Sequence, residues 1–143
     1  MLGAQAYLRG RECTARETTF INFDTVGGDA PLTYVLREGG PPDRPASPGL
    51  VGLLERVAER RPDLGLVAAD GTAGLPTDVT PALARGFEGI TLLAQADTIP
   101  NYHWPTDTIE NVAPHTVGFA LEAGRELLRE LDRDALVNKS DRR

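Results

Sequence analysis

Two kinds of hydrophobic spacing alternate along this chain, and that alternation limits what it can fold into. Leu50, Leu53, Leu54, Val57 and Ala58 recur at the i, i+3, i+4, i+7, i+8 interval of one helix face. Ser47 followed by Pro48 marks the helix start, and Arg61-Pro62 closes it. Around this helix lie short runs of β-branched and aromatic residues. Thr19–Thr25 and Leu32–Arg37 read as strands, Leu64–Ala68 as a short one, and Ile90–Leu93 as a buried one. Met1–Arg9 reads as helix with Leu2, Ala6 and Tyr7 on one face. Thr77 is placed to cap a short helix through Arg85, and a last helix starts near Pro114. Its core face is predicted at Val117, Leu121, Leu128 and Leu131, widened by Phe119, Ala120 and Ala123. Gly10–Thr18, Gly39–Pro45, Asp70–Leu75 and Ala94–Asn111 are the intervening loops. Strands alternating with helices predict an α/β fold, a partial three-layer α/β/α sandwich on a mostly parallel or mixed sheet. Residues 1–137 form one domain and the polar stretch 138–143 a frayed tail.

With 143 residues the chain can bury one real core. Its formal net charge of -6 argues against a nucleic-acid partner, which needs a basic face. No apolar run is long enough for a membrane-spanning helix. The start, Met1-Leu2-Gly3-Ala4-Gln5, lacks the basic and apolar regions of an export signal. A single cysteine, Cys13, excludes an internal disulfide.

The residues with chemistry to offer gather at loop ends. Asp24 closes the Thr19–Thr25 run. His103 sits in Tyr102-His103-Trp104-Pro105-Thr106-Asp107-Thr108-Ile109-Glu110-Asn111, between the Ile90–Leu93 run and the last helix. In open α/β sheets ligands collect at the carboxyl ends of strands, where both residues fall. Imidazole and carboxylate there suit a zinc ion. Each has an ordinary alternative: a loop histidine is more often a surface residue, and Asp24 equally a turn residue bonding nearby backbone N–H groups. Asp78 is placed as a carboxylate at a helix start. No Ser-His-Asp order, glycine-rich phosphate loop or Cys-x-x-Cys pair occurs.

Four segments together resemble the zinc-dependent aminopeptidase superfamily with two co-catalytic metals, which also holds glutaminyl cyclases and transferrin-receptor-like proteins. Phe20-Ile21-Asn22-Phe23-Asp24-Thr25-Val26-Gly27-Gly28 is similar to that superfamily's Asn-x-Asp strand. Tyr102-His103 with Asp107-Thr108 and Glu110-Asn111 resembles its late Tyr-His, Asp-Thr, Glu-Asn loop. Thr77-Asp78 through Gly89-Ile90 resembles its Ser-Asp segment and Gly-Ile-Pro strand entry, here with Thr91 in place of the proline. Met1–Leu8 resembles the helix after its paired glutamates. The segments keep the superfamily's order and cover nearly the whole chain.

The resemblance implies that Asp24 and His103 are terminal ligands to two different zinc ions. It puts Asp78 in a supporting position behind the ligands and Asp107, in the same loop as His103, in a supporting or substrate-binding one. Tyr102 and Trp104 would shape the substrate pocket. It implies a peptide substrate and a C-terminal portion of the domain. No His-x-Asp and no Glu-Glu pair occurs in the sequence. Those would supply the remaining ligands, the bridging carboxylate and the general base. The expectation is a segment of a zinc-dependent exopeptidase, inactive and weak in zinc binding by itself. The alternatives are a non-catalytic interaction or dimerisation module on the same fold, or a glutaminyl-cyclase-like acyltransferase. Uncovered strand edges and helix faces make a homo-oligomer or a preceding segment the expected partner. Intact members of the superfamily are often secreted, but this start is not theirs.

Overall fold

The computed structural model describes residues 1–10, 14–15, 17–71 and 75–140, the side chains of 136–140 excepted. Parts of the Gly10–Thr18 and Asp70–Leu75 loops, Cys13 and the end of the tail therefore lie outside the described residues. The expected alternation is present and the fold is α/β. In chain order the elements are α1 (Leu2–Gly10), β1 (Thr19–Asp24), β2 (Leu32–Val35), β3 (Arg37–Glu38), β4 (Arg44–Pro45), α2 (Pro48–Arg60), β5 (Val67–Ala69), α3 (Thr80–Leu83), β6 (Glu88–Ala94) and α4 (Pro114–Ser140). The main sheet runs β1-β6-β2-β5 and is mixed. β1 is parallel to β6, with Ile21 beside Ile90 and Phe23 beside Leu92. β2 is antiparallel to β6 and parallel to β5. β3 and β4 make a separate two-stranded ribbon.

The period-two alternation of strands sorts residues between two faces. Leu32, Tyr34, Ile90 and Leu92 join Leu50, Leu53, Leu54 and Val57 of α2 and Ala120, Ala123 and Leu127 of α4 in one core. The other face carries Asn22, Thr91 and a smaller cluster under α1, where the Phe20 ring meets Tyr7 and Phe87 edge-on, with centroids 6.5 and 5.4 Å apart.

Several local signals end up in different use. Ser47 precedes α2 as expected, with Pro48 in the first turn, but its hydroxyl caps nothing. It accepts the N–H of Gly89 at 2.7 Å instead, fastening α2 to β6. Gly89 has no room for a side chain: a Cβ there would lie 2.6 Å from Val79 Cγ2. The strand predicted at Leu64–Ala68 is shifted to Val67–Ala69, because Pro62–Leu64 closes a 3-10 turn with Gly65 left-handed behind it. The helix expected from Thr77 to Arg85 is only Thr80–Leu83. Thr77 sits before it in a turn, its Oγ1 accepting the Val79 N–H at 3.2 Å. In α1 the buried residue is Leu8, whereas Leu2 is exposed.

The core face of α4 is the largest correction. Val117, Leu121 and Leu128 are exposed, at 41%, 61% and 55%. The face that meets the core is Thr116, Ala120, Ala123, Leu127 and Glu130. Both sets have helical spacing, and small residues let the helix axis approach the sheet closely. Gly124 shows how closely, since a Cβ there would lie 2.6 Å from Phe23 Cζ. The larger side chains stand one step around the helix. They line a groove of about 390 Å³ with Ile21, Phe23 and Val26. The backbone of α4 runs through Ser140, past the expected tail boundary. No described helix is long and apolar enough to cross a membrane.

Candidate functional site

β1 and β6 are parallel, so their carboxyl ends, Asp24 and Ala94, lie together at one edge of the sheet. Asp24 follows Asn22 on the same strand face, and the Asn22 amide is held by Thr91 Oγ1 at 3.2 Å. Two loops leave this edge, 25–31 and 95–113. They pack tightly because Gly27 and Gly28 have no side chains: Cβ atoms there would meet Val112 Cγ1 at 3.1 Å and Pro100 Cδ at 3.3 Å. Gly27 O also accepts the Ala113 N–H at 2.8 Å.

The second loop is built from short turns. Asn101 O accepts the Trp104 N–H, and Trp104 O accepts the Asp107 N–H, both at 2.9 Å. The Asn111 amide donates to Thr106 O at 2.8 Å. A hydrogen bond from the Thr108 hydroxyl holds the Glu110 carboxyl below the usual carboxylate range. This loop carries His103, and the Tyr102 ring stacks on that imidazole with centroids 3.9 Å apart and planes 17° from parallel.

Three non-glycine residues in these loops have left-handed backbone: Thr25 at φ 48°, Asn101 at 58° and His103 at 59°. Asn and His tolerate that region, whereas a β-branched residue is strained in it. Strain of this kind costs about 1–3 kcal/mol and gathers at functional sites. Thr25 Oγ1 is, moreover, buried without a hydrogen-bond partner.

Two small cavities open here. One of about 20 Å³ is bordered by Asp24, Thr25, Thr77 and Tyr102. The other, about 240 Å³, is bordered by Thr25, Gly28, Asn101, Tyr102, Asp107 and Asn111. The structure thus brings Asp24, Tyr102 and Asp107 to one corner, with His103 stacked on its rim. Trp104 projects outward at 71% exposure. Asp78 lies elsewhere, bordering a cavity with α1, Phe20 and Asn22. Its carboxylate is 2.7 Å from the Met1 amino group. His115, on α4, lies 3.9 Å from Asp29 and edge-on to Phe119.

The corner offers the carboxylates of Asp24 and Asp107 and, on its rim, the imidazole of His103. Among the described residues no three His, Cys, Asp or Glu side chains come together as a metal-holding group. A catalytic zinc takes three protein ligands, so these residues do not fit the ion by themselves.

Residues that the sequence did not single out stand behind the corner. Glu38 is fully buried. Burial pushes its carboxyl up and nearby Asp24 adds to that, while hydroxyls of Thr91, Thr77 and Thr80 oppose the rise. Glu38 gave no signal because it sits beside a glycine- and proline-rich stretch that reads as loop. Thr91 stood out only as a departure from a strand-entry motif.

Residues 1–127 match the model of Peptidase family M28. A protein of Paenarthrobacter aurescens (strain TC1), described as UDP-N-acetylglucosamine--N-acetylmuramyl-(pentapeptide) pyrophosphoryl-undecaprenol N-acetylglucosamine transferase, is 29% identical over 117 residues. Those residues are 82% of this chain and 29% of that protein, so the chain spans less than a third of that curated relative. No solved structure matches.

Proposed function

The chain belongs to peptidase family M28, and on that premise we propose that it forms one wall of a zinc-dependent exopeptidase site acting on peptide N-termini. The observation that carries this reading is the shared corner. Asp24 ends β1 and borders one cavity with Tyr102, whose ring stacks on His103. The family generally depends on zinc, but Asp24 and His103 alone leave such an ion short of ligands. The residues present would instead shape and orient. Thr25 and the Asn101–His103 turn fix the corner's backbone, and Asp107 and Asn111 offer acceptors to a substrate's N–H groups. Trp104 offers an exposed apolar ring. The sequence contains no Glu-Glu pair to act as general base.

The chain alone is therefore expected to bind zinc no tighter than micromolar and to leave aminoacyl chromogenic substrates uncleaved. Submicromolar zinc affinity by calorimetry, or turnover of such a substrate, would sink this reading. The glycosyl-transfer activity named for the Paenarthrobacter relative is not adopted, since this chain spans only 29% of that protein.

A second reading, a non-catalytic interaction module, is favoured by the groove between β1 and α4. Val117, Leu121 and Leu128 leave it open to solvent. Among the described residues no strand pairs with the outer edge of β1, and such edges tend to find partners. Sedimentation over a concentration series is expected to show self-association that Leu121→Lys weakens. A strictly monomeric chain at high concentration counts against this module.

A further inference from the structure

The Glu38 carboxyl is the sink of a directed hydrogen-bond chain. Its Oε2 accepts the Thr77 hydroxyl at 2.8 Å and, more loosely, that of Thr80 at 3.5 Å. Its Oε1 is buried with no partner. Thr77 has one hydroxyl proton and spends it on Glu38. The 3.1 Å contact between the Thr77 and Thr91 hydroxyls therefore leaves Thr77 as acceptor. The Thr91 proton points to Thr77 or to the carboxyl itself, and Thr91 Oγ1 in turn accepts from the Asn22 amide at 3.2 Å. Every proton in the chain runs from Asn22 on β1 toward Glu38 on β3. Both flanks of the Asp24 corner are tied into it. Asn22 lies two residues before Asp24 on the same face, and Thr77 borders the small cavity with Asp24 and Tyr102.

We propose that Glu38 is the positioning residue of the Asp24 corner and that it serves there as a neutral acid, with its proton on Oε1. An ionised Glu38 would bury a charge on an oxygen that nothing solvates. The groups facing it offer no compensation. β1 presents Asp24, of the same sign. β6 presents Thr91, and the turn before α3 presents Thr77 and Thr80, all uncharged. In its own ribbon, Arg37 is drawn away to Asp43 at 2.6 Å. Arg44 stands opposite Glu38 in register and, among the described residues, makes no ion pair with it. Loss of the proton drives the carboxylate toward water and pulls the Thr77 anchor with it, freeing the end of β1. The inference rests on this cluster and not on the peptidase reading, so either can fail without the other.

The test uses the full chain, without metal or substrate, labelled with ¹³C at glutamate carboxyls and titrated by NMR. Glu38 is expected to keep its proton above the ordinary glutamate range. Above the Glu38 midpoint, hydrogen-exchange protection of Asn22–Thr25, taken relative to β2, is expected to fall roughly threefold or more. In Glu38→Gln, which keeps the shape and cannot ionise, protection stays flat over the same range. If glutamine is not tolerated there, the threonine carries the comparison: Thr77→Ser keeps the wild-type pH profile and Thr77→Val loses it. Titration of Glu38 within the ordinary glutamate range overturns the proposal. So does the same pH-dependent loss in Glu38→Gln, or identical profiles in the two Thr77 variants.

Discussion

Leu54→Ala is expected to lower the unfolding free energy by about 3–4 kcal/mol, the middle of the roughly 2–5 kcal/mol spanned by buried leucine deletions that leave a cavity. Leu54 is completely buried on α2 in the core formed with β2, β6 and α4. Its neighbours Val57, Leu92 and Leu127 are equally enclosed, so little can move in to fill the space. Urea unfolding followed by far-UV circular dichroism would show the midpoint dropping with an unchanged slope. A loss below about 1 kcal/mol would mean that α2 is not seated on the sheet as described.

The second large effect is electrostatic. Glu130 faces the core from α4, only 4% exposed. Its Oε1 accepts from Arg60 at 2.6 Å and from Arg133, and its Oε2 from Arg56 Nε at 3.3 Å. The hydrogen bond from Arg60 is the main reason its carboxyl is pulled down from 4.5 to about 2, against the opposing effect of burial. A folded value below the unfolded one means that the ionised form is the stabilising one. That stability is fully present above pH 4.5 and is lost as the pH falls through about 2. The shift corresponds to roughly 3 kcal/mol at most, and the half-exposed arginines return part of it to water, leaving about 2 kcal/mol. Glu130→Gln is accordingly expected to cost about 2 kcal/mol at pH 7. The difference from the natural chain should shrink steadily between pH 4.5 and about 2. Thermal melts of both chains across that range check the sign: a gap that widens on acidification would rule out the network as its source. Glu38 works in the opposite sense. Its raised value makes the protonated form the stabilising one, so its contribution is present at low pH and fades as the pH rises through the folded value.

The parts of this fold that were legible in the sequence are those set by local spacing. The stripe Leu50–Ala58 became α2 with Leu50, Leu53, Leu54 and Val57 buried, as its interval demands. Thr19–Thr25 and Ile90–Leu93 became adjacent parallel strands. Asp24 and the His103 loop fell at their carboxyl ends because parallel strands share one direction. Short-range chemistry was read less well where a distant partner competed for it. Ser47 read as a helix start, but its hydroxyl accepts the N–H of Gly89, 42 residues away. Thr77 looked like a helix start, yet its hydroxyl bonds to Glu38, 39 residues back.

Helix periodicity by itself determined that an amphipathic helix begins near Pro114, and β-branched and aromatic runs that Thr19–Thr25 and Ile90–Leu93 are strands. Only the tertiary structure decided which side of α4 meets the sheet. Two neighbouring stripes satisfy the same 3–4 interval, and the choice falls to the one whose small residues, Ala120, Ala123 and Gly124, allow the helix to approach Phe23 and the core. Only the tertiary structure, likewise, assembled the Glu38 cluster. Its members Asn22, Glu38, Thr77 and Thr91 come from four separate stretches of chain. A buried carboxyl and three neutral polar side chains have no spacing rule to announce them, because their association is fixed by the need to satisfy polar groups once the sheet has closed over them.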